Sequence, residues 1–236
     1  MKRHMLTLVA CLMLGALAPL SAQDVTITNA RIVVADGAVI ERGSVVVRAG
    51  KIVSVAPGAP SAGSGMAIDA KGMTAMPGFI DAHRHINTGP NEKAQMQALL
   101  EAGYTTILSG GGPADGDITL RDHIDKGLIN GPRIIPSGRV AVNNTTPDMA
   151  RAEIRAMAAM GIKHTGEIGL TPEPGPSAEQ IAVLRAIVDE AGKLGVQVNV
   201  HAVSTPAMVA AIDAGVRRLV HLPNKDWVTR AAAQKV

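Results

Sequence analysis

Five glycines constrain this chain more than any other feature, because each is followed by an apolar run and then a polar residue at one fixed distance. Six positions after Gly103 stands Ser109, after Gly131 Ser137, after Gly161 Glu167, after Gly195 His201 and after Gly215 His221. A glycine just past the last helical residue is an ordinary left-handed helix stop. The runs Tyr104–Leu108, Arg133–Pro136, Ile162–Ile168, Val196–Val200 and Val216–Val220 read as short strands apolar on both faces. Helices are expected between them. The first covers Asn91–Ala102, and the second opens on a Thr119/Asp122 capping box and ends near Asn130-Gly131. The third runs from Thr146-Pro147 to Met160, and the fourth opens on a Ser177/Gln180 capping box. The fifth runs from Thr205-Pro206 to Gly215. In the fourth, Ile181, Leu184, Ile187, Val188, Ala191 and Leu194 share a face. Strand–helix alternation of this kind builds a parallel α/β sheet or barrel, whose sites lie at the carboxyl ends of the strands.

The fixed count therefore puts Glu167, His201 and His221 on one rim. His83 and His85 join them, because Pro77-Gly78-Phe79-Ile80-Asp81-Ala82-His83-Arg84-His85 reads as the end of a buried strand. Residues two apart on a strand point to one side. Four imidazoles and one carboxylate on a rim make a divalent-metal site, with Glu167 as the natural bridge between two ions. Lys163 shares the strand face of Glu167 but lies about 13 Å lower. His164 faces a helix and His123 lies within one, so both read as structural. Arg84, Asn143, Asn224 and Lys225 are candidate substrate contacts, with Ser109, Arg139 and Asn144 near them. Gly110-Gly111-Gly112 reads as a close backbone approach to a ligand or as a flexible loop. It lacks a nucleotide-binding context, and no Gly-x-Ser-x-Gly elbow is present.

Composition narrows the partners. Hydrophobic residues make up 47% and aromatics 1%, so the core is aliphatic and no base-stacking platform exists for nucleic acid. Residues 1–22 read as a signal peptide. Lys2 and Arg3 precede the apolar run Met5–Leu20, and Ser21-Ala22 offers a cleavage site, which predicts a secreted or periplasmic protein. Without Lys2 and Arg3 the chain has 21 basic against 20 acidic residues, which gives no attraction to nucleic acid or, after cleavage, to a membrane. Cys11, the single cysteine, leaves with that segment, so metal ligands must be His, Asp, Glu or a modified Lys. Residues 23–75 read as a β-rich domain, with a turn at Ala49-Gly50-Lys51 and a loop over Ala56–Gly65.

A small β-domain, then Pro-Gly-Phe-Ile-Asp-Ala-His-Arg-His, then βα units ending in lone histidines, resembles the metal-dependent amidohydrolase superfamily. The texture is that of its imidazolonepropionase-like and prolidase-like group. The resemblance implies an α/β fold: an incomplete (β/α)8 TIM-like barrel of about six βα units over residues 76–236, preceded by a small β-sandwich-like domain. It implies that His83 and His85 bind a first metal, that Glu167 bridges, and that His201 and His221 bind a second. One or two divalent ions, Zn2+ foremost, are the implied cofactor. The implied reaction is attack of a metal-bound hydroxide on the carbonyl or amidine carbon of a C–N bond. The implied substrate is a small molecule, a non-peptide or dipeptide amide. The family's strand-eight aspartate, its general base, has no counterpart here. The chain is accordingly expected to be a truncated piece of an enzyme of about 400 residues. The alternative is a catalytically incomplete fragment that binds metal or ligand. A periplasmic doubly wound binding protein without metal is a third reading. Unpaired strand edges leave an oligomer possible.

Overall fold

The computed structural model describes residues 24–60 and 65–235, so the expected signal peptide lies outside the described residues. The chain divides into two compact units, Met1–Pro77 and Gly78–Val236.

In the first unit β1 (Val25–Val33), β2 (Val39–Arg48), β3 (Lys51–Pro57), β4 (Met66–Asp69) and β5 (Thr74–Ala75) belong to one mixed sheet. Its order is β3-β2-β1-β4, and β5 also pairs with β1. The β2–β3 connection needs positive φ at both Ala49 (48°) and Gly50 (73°), the backbone of a two-residue hairpin turn. Buried Ala30, Ile32, Val45 and Ala70 form a small apolar cluster.

The second unit alternates as its sequence pattern predicts. Its elements are β6 (Phe79–Arg84), α1 (Glu92–Glu101), β7 (Tyr104–Ser109), α2 (Ala114–Asp125), β8 (Arg133–Ile135) and α3 (Pro147–Ala159). They continue with β9 (His164–Gly169), α4 (Ala178–Leu194), β10 (Gln197–His201), α5 (Thr205–Asp213) and the short α6 (Arg230–Ala233). All strand pairs here are parallel: β6-β7-β8 in one sheet and β9-β10 in another. Isolated parallel bridges, Gly138 with Thr165 and Val200 with Leu219, extend the same order. The fold is thus α/β, with mixed and parallel sheets and six helices among the described residues.

Helices α3, α4 and α5 bury Ile154, Met157, Leu184, Ile187 and Met208 against Ile168 of β9 and Val200 of β10. A second cluster packs Met96, Leu99 and Leu120 against Ile107 and Ile134. Each fully buried aliphatic side chain contributes about 1.5–3 kcal/mol.

Five expectations change. First, α2 begins at Ala114, five residues before the Thr119/Asp122 pair, and its N-cap, Pro113, carries no side-chain acceptor. Asp122 instead binds its neighbour Arg121 at 2.7 Å. Second, the glycine that ends α2 is Gly127, at φ 70°, and not Gly131. Third, β6 was expected to be buried, yet Phe79 and Ile80 are 51% and 69% exposed, because β6 is an edge strand. Fourth, Val216–Val220 is no full strand. It is held by two backbone bonds, Val200 N–H to Arg218 O and Val220 N–H to Val200 O, each 3.1 Å. The buried face of α4 is also centred on Val183, Leu184, Ile187 and Ala191, which leaves Ile181, Val188 and Leu194 at its margins.

Candidate metal centre

Glu167 sits at the centre of the rim, near the carboxyl end of β9. Its Oε2 lies 2.8 Å from His201 Nδ1, 3.0 Å from His221 Nε2 and 3.4 Å from His83 Nε2, and its Oε1 lies 3.0 Å from His85 Nε2. The rings of His83 and His221 are 5.1 Å apart, and those of His201 and His221 are 4.5 Å apart. The strands deliver this arrangement. His83 and His85 follow the period of two at the end of β6, and His201 closes β10. His221 follows the bridged segment beside Val200.

Backbone contacts hold the pieces in place. Asp81 Oδ1 accepts the His83 amide at 3.1 Å. The Glu167 amide donates to Gly110 O at 2.9 Å, and the Gly166 amide to Gly138 O at 2.7 Å. The Gly110-Gly111 turn therefore meets the backbone of β9. A Cβ on Gly166 would stand 2.6 Å from Gly111 Cα, and one on Gly110 would stand 2.8 Å from His83 Cε1.

Burial pushes the Glu167 carboxyl upward, but hydrogen bonds from His201 and His221 and the surrounding imidazoles outweigh it, and Glu167 is held below the usual range. Burial lowers His83 most and so favours its neutral ring, while the charge of Glu167 pulls the other way. A carboxylate only accepts, so His201 and His221 donate to it. His83 Nε2 is buried and has no hydrogen-bond partner. One ligand atom each from His83, Glu167 and His221 lies within 4.8 Å of the others. Convergent imidazole nitrogens, one carboxylate and an orphaned neutral nitrogen fit a borderline divalent cation.

The other sequence candidates are spread out. Asn143 lines a cavity of about 290 Å3 beside Glu167, together with His85 and Arg139, and its Oδ1 accepts from Gln180 Nε2 at 2.7 Å. Arg84 lies between the two ligand candidates in sequence, on the opposite strand face, and does not line that cavity. Asn224 and Lys225 are exposed and tied to Val203 O through their amides, outside the cavity lining. Lys163 is exposed just before β9, His164 meets Arg218 at 3.3 Å, and His123 lies 4.0 Å from Glu92. Asp81, Gly166 and Gln180 act on the site through other residues and have no metal-ligand spacing. Gln180 alone carried a signal, its capping box.

The chain as a whole is similar to known proteins. The chain is similar to a dihydroorotase of Mycobacterium tuberculosis, 26% identical over 73% of this chain and 41% of that protein. It is also similar to an imidazolonepropionase of Caldanaerobacter subterraneus, 32% identical over 38% of this chain and 22% of that one. Among solved structures, a prolidase candidate from Bifidobacterium longum superposes with a TM-score of 0.73 at 31% identity, covering 84% of this chain and 54% of that one. The chain thus spans less than half the length of these curated relatives and about half of that solved one. Residues 74–232, more than half of the chain, match the amidohydrolase family model, and the chain belongs to the amidohydrolase family.

Proposed function

We propose that the chain is the metal-binding part of a hydrolase acting on C–N bonds of small amides. The observation that carries this is the Glu167 carboxylate set among four imidazoles at 2.8–3.4 Å, with His83 Nε2 left unpartnered. His83, His85, Glu167, His201 and His221 would hold one or two divalent cations, with Zn2+ the natural choice for N/O donors. When bound, such a cation lowers the pKa of a water and polarises a carbonyl. The chain's own residues do the rest. Glu167, kept anionic, offsets the cation's charge. Asp81 fixes the backbone that carries His83. The glycines at 110, 111, 166 and 169 put no side chains on their own part of the cavity wall, so an amide can approach the cluster there.

The relatives named above and a D-hydantoinase of Rhizobium radiobacter are, by name, enzymes of amide, imide and dipeptide chemistry. That supports the C–N reading here and leaves the substrate to experiment. The finer architecture belongs to the same proposal: a β-sandwich-like domain, then six units of an eight-unit barrel. So does secretion to the periplasm or beyond.

A second reading, metal or ligand binding without turnover, rests on one observation. Among the described residues Glu167 is the single carboxylate of the cluster, and both its oxygens face imidazoles, so no second acid is free to act as a base. Zinc titration by calorimetry decides the metal question. Wild type should bind, and His201→Ala and Glu167→Gln should lose at least the roughly 10–100-fold that removal of an outer-shell partner costs. Equal affinity in all three would sink the site. Hydrolysis of an amide and lactam panel by zinc-loaded protein then separates the two readings.

A further inference from the structure

A slip between two strands decides which way Glu167 faces. The register of β9 with β10 pairs His164 with Gln197 but Glu167 with Asn199, so β9 carries one extra residue at Thr165-Gly166, a bulge. A slip of one residue reverses the face on which every later side chain lies. Without it Glu167 would stand level with Val200, which packs into the helix-side core. With it Ile168 takes that level and joins the same core, and Glu167 stands level with Asn199. His201 lies two residues beyond Asn199, on the same strand face. The contact of 2.8 Å between His201 Nδ1 and Glu167 Oε2 depends on that slip.

Two buried residues hold the bulge. Asn199 Nδ2 donates to Thr165 O at 2.6 Å, and Thr165 Oγ1 accepts the Asn199 amide at 2.9 Å. Thr165 is 0% and Asn199 2% exposed. Asn199 Oδ1 is buried without a partner, a cost that packing alone gives no reason to carry. We propose that Asn199 is the positioning residue for Glu167. Its side chain takes up the Thr165 carbonyl, keeps the extra residue in β9 and so keeps the carboxylate among the imidazoles. The inference goes beyond the hydrolase reading and does not rest on it, because the arrangement belongs to the metal-free chain.

The test is histidine side-chain NMR on the metal-free full chain at about pH 8, where imidazole is neutral, followed by zinc titration. Wild type should carry the His201 ring proton on Nδ1, shifted downfield by its bond to the carboxylate. Asn199→Leu keeps the size of the side chain and removes the donor. It should lose that signal and weaken zinc binding by roughly tenfold or more. Thr165→Val should weaken both readouts, and Thr165→Ser should restore both. Ile187→Ala, a buried change on α4, should lower the melting temperature and move neither. The assignment is overturned if wild type lacks the signal, if Asn199→Leu matches wild type, or if Ile187→Ala shifts both readouts as much. Should Asn199→Leu not fold, Thr165→Val against Thr165→Ser decides in the same way. Zinc-loaded wild type inert on every amide would end the hydrolase reading and leave the His201 signal in place.

Discussion

Glu167 owes its position to glycine as much as to its own charge. Gly166 and Gly111 approach so closely that a methyl group on Gly166 has no room, and this approach sets where the next residue emerges. Gly166→Ala should cost about 1–3 kcal/mol as an overpacked contact. It should also weaken zinc binding in the protein that remains folded. Gly169→Ala, on the same strand with open space at its Cβ, should change neither quantity. Thermal melts and zinc titrations of the two variants make the comparison, and equal behaviour would refute the clamp. Asp117 is the other residue whose role lies in its surroundings. It is 1% exposed, and burial pushes its carboxyl up, against the pull of the Ser109 hydroxyl and the Ser137 amide. A folded-state pKa above the unfolded value near 3.8 means that the native state holds the proton more tightly. That contribution is complete below the unfolded value and is lost as pH rises through the folded one. Asp117→Asn removes the ionisation and keeps an acceptor for the Ser137 amide. Its melting temperature should therefore gain on wild type between acid and neutral pH. A gap that does not change with pH would contradict the assignment.

At the scale of elements, the starts of two helices were legible from the side-chain oxygens that cap them, whereas the caps Ser204 of α5 and Thr229 of α6 were not read. Thr146 caps α3, with Pro147 following, and Ser177 with Gln180 closes a full capping box on α4. The start of α2 was not legible, because Pro113 supplies no such group, and the Thr119/Asp122 spacing fell inside the helix by coincidence. The rim was legible for a geometric reason: a strand rises a fixed amount per residue, so a constant count from the helix stop brings residues to one height. Glu167, His201 and His221 meet there, and their metal role is what the zinc titration tests. The count worked for Gly131 and Ser137 although Gly127 is the true stop, so in that strand it matched without its cause. What pattern could not reveal is contact between distant segments, such as Gly111 with Gly166, Asp117 with Ser137, and Gln180 with Asn143. Gln180 shows how one element reaches the site. Its Oε1 accepts the Ser177 amide at 3.1 Å, while its Nε2 donates to Asn143 and to Thr171. Ser177→Ala should cost about 0.5–2 kcal/mol, as a lost N-cap does. Gln180→Glu keeps the acceptor and loses the donors, so it should spare the cap and free Asn143. Urea melts should thus show the larger loss for Ser177→Ala, while binding of N-acetylglycinamide in the cavity should change only for Gln180→Glu.

For the molecule as a whole, the first unit carries a surface that its own residues do not cover. The sheet order places β3 and β4 at its two edges. On β3, Ile52 is 67% and Val53 60% exposed, and on β4 Met66 and Ile68 are exposed as well. Beside them lies a hollow of about 430 Å3 walled almost entirely by aliphatic side chains, among them Ile27, Val45, Val47 and Val55. Edge strands with free backbone groups and apolar side chains pair with whatever strand they meet, and natural edges are usually blunted by charge. Here β3 offers one charge, Lys51, at its very start. The chain studied alone should therefore self-associate reversibly, with a sedimentation coefficient that rises with protein concentration. Charged replacements at Ile52 and Val53, both exposed on the edge strand, should shift it to monomer at little cost in stability, since exposed positions tolerate them. Zinc stoichiometry should be unchanged by those replacements, because they lie in the unit that ends at Pro77 and the histidine cluster lies in the other. A wild-type chain that stays monomeric across the dilution series would show that these edges are already protected. If the charged variant associates as wild type does, the contact lies on another surface.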